Sequence, residues 1–232
     1  MTLPIPANGL AVKDADPVLN ETLMRGICGR GYEGVLQATG RARHFKCDQQ
    51  IYGYGNDADQ VFKMETGLVR TYRFLRDGRR QVDCFWAAGE VFGLELGGNY
   101  SLSAAAACNC TVIAYRRCSL EKLAANNEQL RLQLTSSALS SLARAQEHSL
   151  SLGRRSAVEK VARFLIECME YSNSNTDIQL AMPRSDIADY LGLTIETVSR
   201  TLSHFEHGAL IELVRTRRVR LRDTAGLRAL CA

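Results

Sequence analysis

The stretch Pro183-Arg-Ser-Asp-Ile-Ala-Asp-Tyr-Leu-Gly-Leu-Thr-Ile-Glu-Thr-Val-Ser-Arg-Thr-Leu-Ser-His-Phe-Glu-His-Gly208 decides how the rest of the chain is read. It predicts two short helices joined by a tight turn. Ile187, Ala188 and Leu191 make one apolar face. Gly192 can supply the left-handed backbone the turn needs. Thr194 is placed to cap the second helix, and Glu196 suits its first turn. On that helix Ile195, Glu196, Ser199 and Arg200 share one face, while Val198, Leu202 and Phe205 take the opposite, core-facing side. A helix that buries one side and offers Glu, Ser and Arg on the other fits the DNA major groove.

Outward from this stretch, Val214-Arg-Thr-Arg-Arg-Val-Arg-Leu-Arg222 carries five arginines and no acid. It reads as two strands around a basic tip, a wing placed to reach phosphates, which supply most non-specific affinity. Upstream, Ser156 with Glu159 forms a capping box that opens an amphipathic helix. Ser119 to Leu152 contains no Pro or Gly. Leu120, Leu123, Asn127, Leu130, Leu134, Ala138, Ser141 and Ala145 recur there at three or four residues, the narrow seam of a long helix. Such a helix spans about 45 Å and needs something to pair with. It can pack on its own domain, join two subunits, or do both; the small seam residues favour a homodimer. Gly153 marks the expected end of this helix and the domain boundary.

Before it, from about Tyr32 to Tyr115, glycines separate short apolar runs. Leu68 to Leu75 alternates, Asp77-Gly78 signals a hairpin, and Gln81 to Trp86 and Cys110 to Tyr115 read as further strands. This pattern predicts a small β-barrel or sandwich. Residues 1–18, with Pro4, Pro6 and Gly9, read as a flexible arm, and 20–26 as a short helix. Composition sets bounds. With 232 residues, 46% hydrophobic and net charge +4, the chain suits one large or two small globular domains. No run is long enough for a membrane span and no leader pattern opens the chain, so the expected location is the cytoplasm. Eight cysteines and four scattered histidines do not make ligand spacing for a metal, and the cysteines read mostly as small hydrophobes. An enzyme on such a β-domain would need clustered His and carboxylates, which the strands lack.

A β-domain, a long helix and a winged helix-turn-helix together resemble the cAMP receptor protein and fumarate–nitrate regulator (Crp/Fnr) superfamily. Arg184-Ser-Asp-Ile-Ala-Asp-Tyr-Leu-Gly-Leu and Glu196-Thr-Val-Ser-Arg carry the resemblance, with Gly67-Leu-Val-Arg and Gly89-Glu-Val-Phe-Gly in the β-domain. The wording is most similar to the FixK-type branch, regulators of low-oxygen respiration and nitrogen fixation. The resemblance implies an α+β fold: a cyclic-nucleotide-binding-like β-roll over 19–118, a dimerisation helix over 119–152 and a winged helix-turn-helix over 153–232. It implies a homodimeric, non-enzymatic transcription regulator, mainly an activator, that binds double-stranded DNA at a TTGAT-N4-ATCAA-like palindrome and contacts RNA polymerase. Ile195, Glu196, Ser199 and Arg200 would read bases; Arg184, Thr194, Thr197, Arg217 and Arg218 would touch phosphates. The hairpin tip Arg76, Asp77, Arg79 and Arg80 would help contact polymerase.

The family's sensors are expected to be missing. The Arg that holds a cyclic phosphate is replaced by Leu102, followed by Ser103, and the Gly93-Leu-Glu95 segment is a distorted form of the nucleotide cassette. Only Cys28 precedes Cys47, which does not make a four-cysteine iron–sulfur site, and only His44 stands in the β-domain for a haem. No cofactor is therefore expected. The alternative is a regulator gated by an unidentified ligand or redox signal in the β-roll.

Overall fold

The computed structural model describes residues 40–154, 156–171 and 176–231. The expected arm over 1–18, the helix over 20–26 and Cys28 lie outside these residues. Strands β1 (Arg41–Phe45), β2 (Gln50–Tyr52), β3 (Gln60–Thr66), β4 (Leu68–Phe74), β5 (Arg80–Ala87), β6 (Val91–Phe92), β7 (Ser103–Ala106) and β8 (Cys110–Arg116) come first. Helices α1 (Arg117–Ala125), α2 (Glu128–Arg154) and α3 (Ala157–Tyr171) follow. Then come β9 (Asp177–Gln179), α4 (Arg184–Leu191), α5 (Ile195–His207), β10 (Ile211–Arg215), β11 (Arg218–Leu221) and α6 (Thr224–Ala229).

The first eight strands make two antiparallel four-stranded sheets, ordered β1-β8-β3-β6 and β2-β7-β4-β5. Between them lies an interior rich in rings. Tyr52 stacks on Tyr100 with centroids 3.7 Å apart, Phe62 on Phe92 at 5.2 Å, and Trp86 lies 6.0 Å from Phe92. Gly78 takes φ 82° at the β4–β5 turn, the positive φ that the Asp77-Gly78 hairpin requires.

The alternation read at Leu68 to Leu75 does not give one wet face. Leu68 through Tyr72 are all buried. Val69 points into the ring-filled interior, while Leu68 and Tyr72 join Val82, Phe85, Ile187 and Leu191 in a second core on the outer face of the sheet. Covering both faces of the β2-β7-β4-β5 sheet is what docks the C-terminal half of the chain on the β-roll. That half has its own three-stranded sheet, β10-β11-β9, whose third strand, Asp177–Gln179, is too short to show in the pattern.

The expected single helix over 119–152 is two helices. Asn127 Oδ1 accepts the Leu130 backbone N–H at 2.9 Å, so Asn127 caps α2 instead of lying inside a longer helix. Asn side chains compete for backbone groups in this way, which disfavours them inside helices. At the other end α2 runs through Gly153 to Arg154. The capping box stands as read: the Ser156 N–H donates to Glu159 Oε2 at 3.0 Å and the Glu159 N–H donates to Ser156 Oγ at 3.3 Å.

The residues of the expected seam divide. Leu130 is buried with Val61 and Leu120 of its own chain, and Leu123 and Leu134 pack beside them. Ser141 is half-buried on the same side, with Ala138 and Ala145 exposed at its edge. Arg144 of the same helix pairs with the buried Glu90 of the β-roll at 2.6 Å. Leu132, Leu139, Leu142 and Leu150 are instead exposed, as is Ala143. At 100° per residue Leu132, Leu139, Ala143 and Leu150 form one stripe, roughly opposite Leu130 and Leu134. Gln146 is the exposed polar residue within it. The helix carries two apolar stripes; the seam leucines Leu130 and Leu134 pack on its own domain, while Ala138 and Ala145 stay exposed.

Candidate nucleic-acid interface

Helix α4 starts after Pro183 and ends at Gly192, whose φ of 64° and ψ of 38° are left-handed. A Cβ here would also come within 3.2 Å of Leu152 on α2, so the turn needs glycine for both conformation and room. Thr194 caps α5 by accepting from the Thr197 N–H at 3.2 Å. Val198, Leu202 and Phe205 are fully buried or nearly so, with Ile187, Ala188 and Leu191 of α4 in the same core. This packing makes α4, the turn and α5 one rigid piece.

The opposite face of α5 is what solvent sees. Ile195, Glu196 and Arg200 are exposed, and Ser199 is half-buried. The Glu196 carboxyl is held below the usual range by its own backbone N–H at the helix start, with help from Thr194 and Arg200. It is thus a charged acceptor at neutral pH. Arg184 lies beside this face, its guanidinium 3.3 Å from Ser199 Oγ, so the two restrain each other. Thr194 is exposed and Thr197 half-buried at the N-terminus of α5, where free N–H groups and the dipole favour an anion. Ser203 and His204, one turn beyond, continue the exposed face; the i, i+4 step from Ser199 and Arg200 was the signal for them.

The wing is partly neutralised by its own acids. Arg218 reaches Asp177 at 2.9 Å, as does Arg220, and Arg220 also reaches Glu212 at 3.3 Å. Arg222 pairs with Glu212 as well. Asp177 is held below the usual carboxylate range by these guanidinium groups, Arg220 foremost. Arg217 donates to the Ala181 carbonyl at 3.3 Å yet stays exposed, as does Arg215. The tip is therefore Arg215 and Arg217. Arg218, expected to touch phosphate, is paired with an acid on a neighbouring strand.

The hairpin tip divides. Arg76, Asp77 and Arg79 are exposed, and Arg79 pairs with Asp77 at 2.7 Å. Arg80 does not belong with them. It turns to α4, reaching Asp186 at 2.5 Å and Asp189 at 2.7 Å, so it is not available to polymerase.

The cysteines also divide. Burial pushes the Cys84 and Cys110 thiols up to about 12, and Cys168 is fully buried. Cys47 and Cys118 are exposed and so are not among the cysteines that act as small core hydrophobes. Among the described residues no group of three or more His, Cys, Asp or Glu is placed to hold a metal ion. No described helix is long and apolar enough to cross a membrane.

Residues 42–127 match the cyclic nucleotide-binding domain family, and residues 159–230 match the Crp-like helix-turn-helix domain family. The nitrogen fixation regulation protein FixK of Azorhizobium caulinodans is 40% identical over 201 residues, covering 84% of this chain and 81% of the relative. FixK of Rhizobium meliloti is 41% identical, covering 81% and 85%. The chain belongs to the FixK-type branch of the Crp/Fnr regulators. The structure of FixK2 from Bradyrhizobium japonicum superposes with a TM-score of 0.80 at 39% identity, covering 83% of this chain and 98% of that one. The Crp/Fnr architecture, with its β-roll, helices and winged helix-turn-helix, is thereby established for this FixK-type chain, and with it a DNA-binding role.

Proposed function

We propose that this FixK-type chain is a dimeric transcription activator of low-oxygen and nitrogen-fixation genes; two of its relatives are named nitrogen fixation regulation proteins. It reads a TTGAT-N4-ATCAA-like palindrome with α5 and needs no bound effector. The observation that carries the reading is the exposed face of α5, a charged Glu196 and Arg200 beside Ile195, on a helix whose other face is locked in the core. Arg200 donates to guanine O6 and N7, Glu196 accepts from a cytosine amino group, Ile195 lies against a thymine methyl and Ser199 adds a hydroxyl. Thr194, Thr197, Arg184, Arg215 and Arg217 hold phosphates. Two copies meet along Leu132, Leu139, Ala143 and Leu150, a leucine-alanine stripe on a 27-residue helix, about 40 Å long. The exposed tip at Arg76 and Arg79 is the surface offered to RNA polymerase.

Effector independence has support in the β-roll. The interior between the two sheets is filled by stacked Tyr52, Phe62, Trp86, Phe92 and Tyr100. Glu95 is turned to Ser101, accepting from its N–H at 3.0 Å and its hydroxyl at 2.9 Å. By the family resemblance Leu102 takes the place of the phosphate arginine, and Ser103 Oγ accepts from the Tyr54 N–H at 2.9 Å. An anionic phosphate here would lack a charge-assisted partner.

The test is a titration of purified, colourless protein against the palindrome with no added ligand. Binding in the range of specific regulators, about 10 nM or tighter at physiological salt, is expected. A strict requirement for cAMP, iron or haem overturns effector independence, and equal affinity for a scrambled duplex overturns the reading itself.

A further inference from the structure

Helix α4, whose Ile187, Ala188 and Leu191 are buried in the core, is also held by charged and polar groups of other elements. Asp186, only 1% exposed, receives Arg70 at 2.7 Å and Arg80 at 2.5 Å. Arg70, 4% exposed, also holds Asp48 at 2.6 Å. Arg80 spans from Asp186 to Asp189, with its Nε 2.7 Å from the second acid. Two cations and three anions thus alternate from the β1–β2 connection through β4 and β5 to α4. The C-terminal carbonyls of α4 are also taken from outside the helix. Gln81 Nε2 donates to the Asp189 carbonyl at 2.8 Å and to the Tyr190 carbonyl at 3.2 Å. His148 of α2 lies with Nε2 2.8 Å from the Tyr190 carbonyl, and its ring stacks on the Tyr190 ring with centroids 4.0 Å apart and 11° between planes.

The chemistry of this contact favours geometry over adhesion. Buried ion pairs add little net stability, because desolvation offsets the attraction. A planar guanidinium forked between two carboxylates, however, tolerates little change in angle or distance. Carbonyls at the end of a helix, capped by groups from two other elements, fix its rotation as well. Since α4 and α5 are one rigid piece, whatever holds α4 also aims α5.

We propose that Arg70 and Arg80 are positioning residues for DNA recognition. Acting through Asp186 and Asp189, they set the separation and tilt of the two reading helices, so that the dimer accepts one spacing between half-sites. The clasp does by fixed charge what a bound effector would otherwise have to do. This rests on the reading of α5 as the base-reading helix and of α2 as the dimer helix.

The experiment selects sites from a randomised duplex pool with full-length wild type, Arg80→Gln, Asp189→Asn and Arg200→Ala. Arg80 and Asp189 are chosen because both are partly exposed, at 21% and 29%, so their variants fold more readily than one that strands the buried Arg70. Wild type is expected to select one half-site at one spacing. Arg80→Gln and Asp189→Asn should recover the same half-site letters over three or more spacings. Their affinity for the wild-type palindrome should fall about tenfold, while that for a single half-site duplex stays within about twofold. Arg80→Lys, which keeps the charge without the fork, should fall between. Retention of a single spacing by Arg80→Gln or Asp189→Asn overturns the proposal. So does a parallel loss of half-site affinity or of melting temperature, since either marks a merely structural contact. Failure of the underlying reading looks different: wild type then selects no half-site, or Arg200→Ala selects the same letters as wild type.

Discussion

Arg200 and Arg217 are both exposed cations near the proposed DNA face, yet their surroundings assign them different work. Arg200 stands one turn from Glu196 on a helix whose rotation is fixed by its buried face. Replacing it with Ala should cost about 1–3 kcal/mol per half-site and relax preference at one base pair, doubled across two symmetric half-sites. Titration against the palindrome and a scrambled duplex checks this, and equal weakening of both would remove α5 from the reading role. Arg217→Ala and Arg215→Ala should weaken all sequences alike and lower the salt slope by about one each. Arg218→Ala should change that slope less, because Asp177 already neutralises the guanidinium. Comparison of the three slopes at two salt concentrations tests the division. At the turn, Gly192→Ala forces an L side chain into left-handed backbone against Leu152. It should destabilise the fold by about 1–2 kcal/mol, read by denaturant midpoint.

Helix α2 carries one stripe for its own domain and, in the proposed dimer, a second for a partner copy. Its inner stripe, Leu130 with Leu134, belongs to the chain's own domain. Leu130→Ala should therefore lower stability by about 2–5 kcal/mol, as large-to-small core changes do, and leave the dimer intact. The outer stripe should behave in the reverse way. Leu132→Asp with Leu139→Asp places two carboxylates where a partner helix would bury them, and should give a folded monomer that fails to bind the full palindrome. Sedimentation together with far-ultraviolet circular dichroism separates the outcomes. A dimer that survives the outer-stripe change would refute that interface, and a monomer from Leu130→Ala would restore the inner one.

At the scale of the whole molecule, the basic hairpin faces two ways. Arg80 and Gln81 face inward to α4, while Arg76 and Arg79 point to solvent. Arg76→Ala with Arg79→Ala should leave palindrome affinity unchanged and reduce transcription activation several-fold in a purified polymerase assay. If activation persists unchanged, the tip is a solvated turn. The two sheets of the β-roll are likewise put to different uses. Both pack on the ring-filled interior, and the β2-β7-β4-β5 sheet also carries the DNA-binding half on its outer face.

Much of this was legible in the chain because it rests on local relations. The helix-turn-helix is written within Pro183 to Gly208 by a 3.6-residue period, a glycine for the turn and a threonine cap. The capping box at Ser156 and the Asp77-Gly78 turn are equally short-range. Asn126-Asn127 is a local break too, though it contains neither Pro nor Gly. Other features depended on docking. Arg70 and Arg80 lie 116 and 106 residues from Asp186, and no period links them. Nor could periodicity say which stripe of α2 would be covered, since both are largely apolar at helical spacing. A sequence can mark a face as fit for burial. Which neighbour buries it, and which charges then meet across the contact, is decided only when separate elements compete for the same surface in three dimensions.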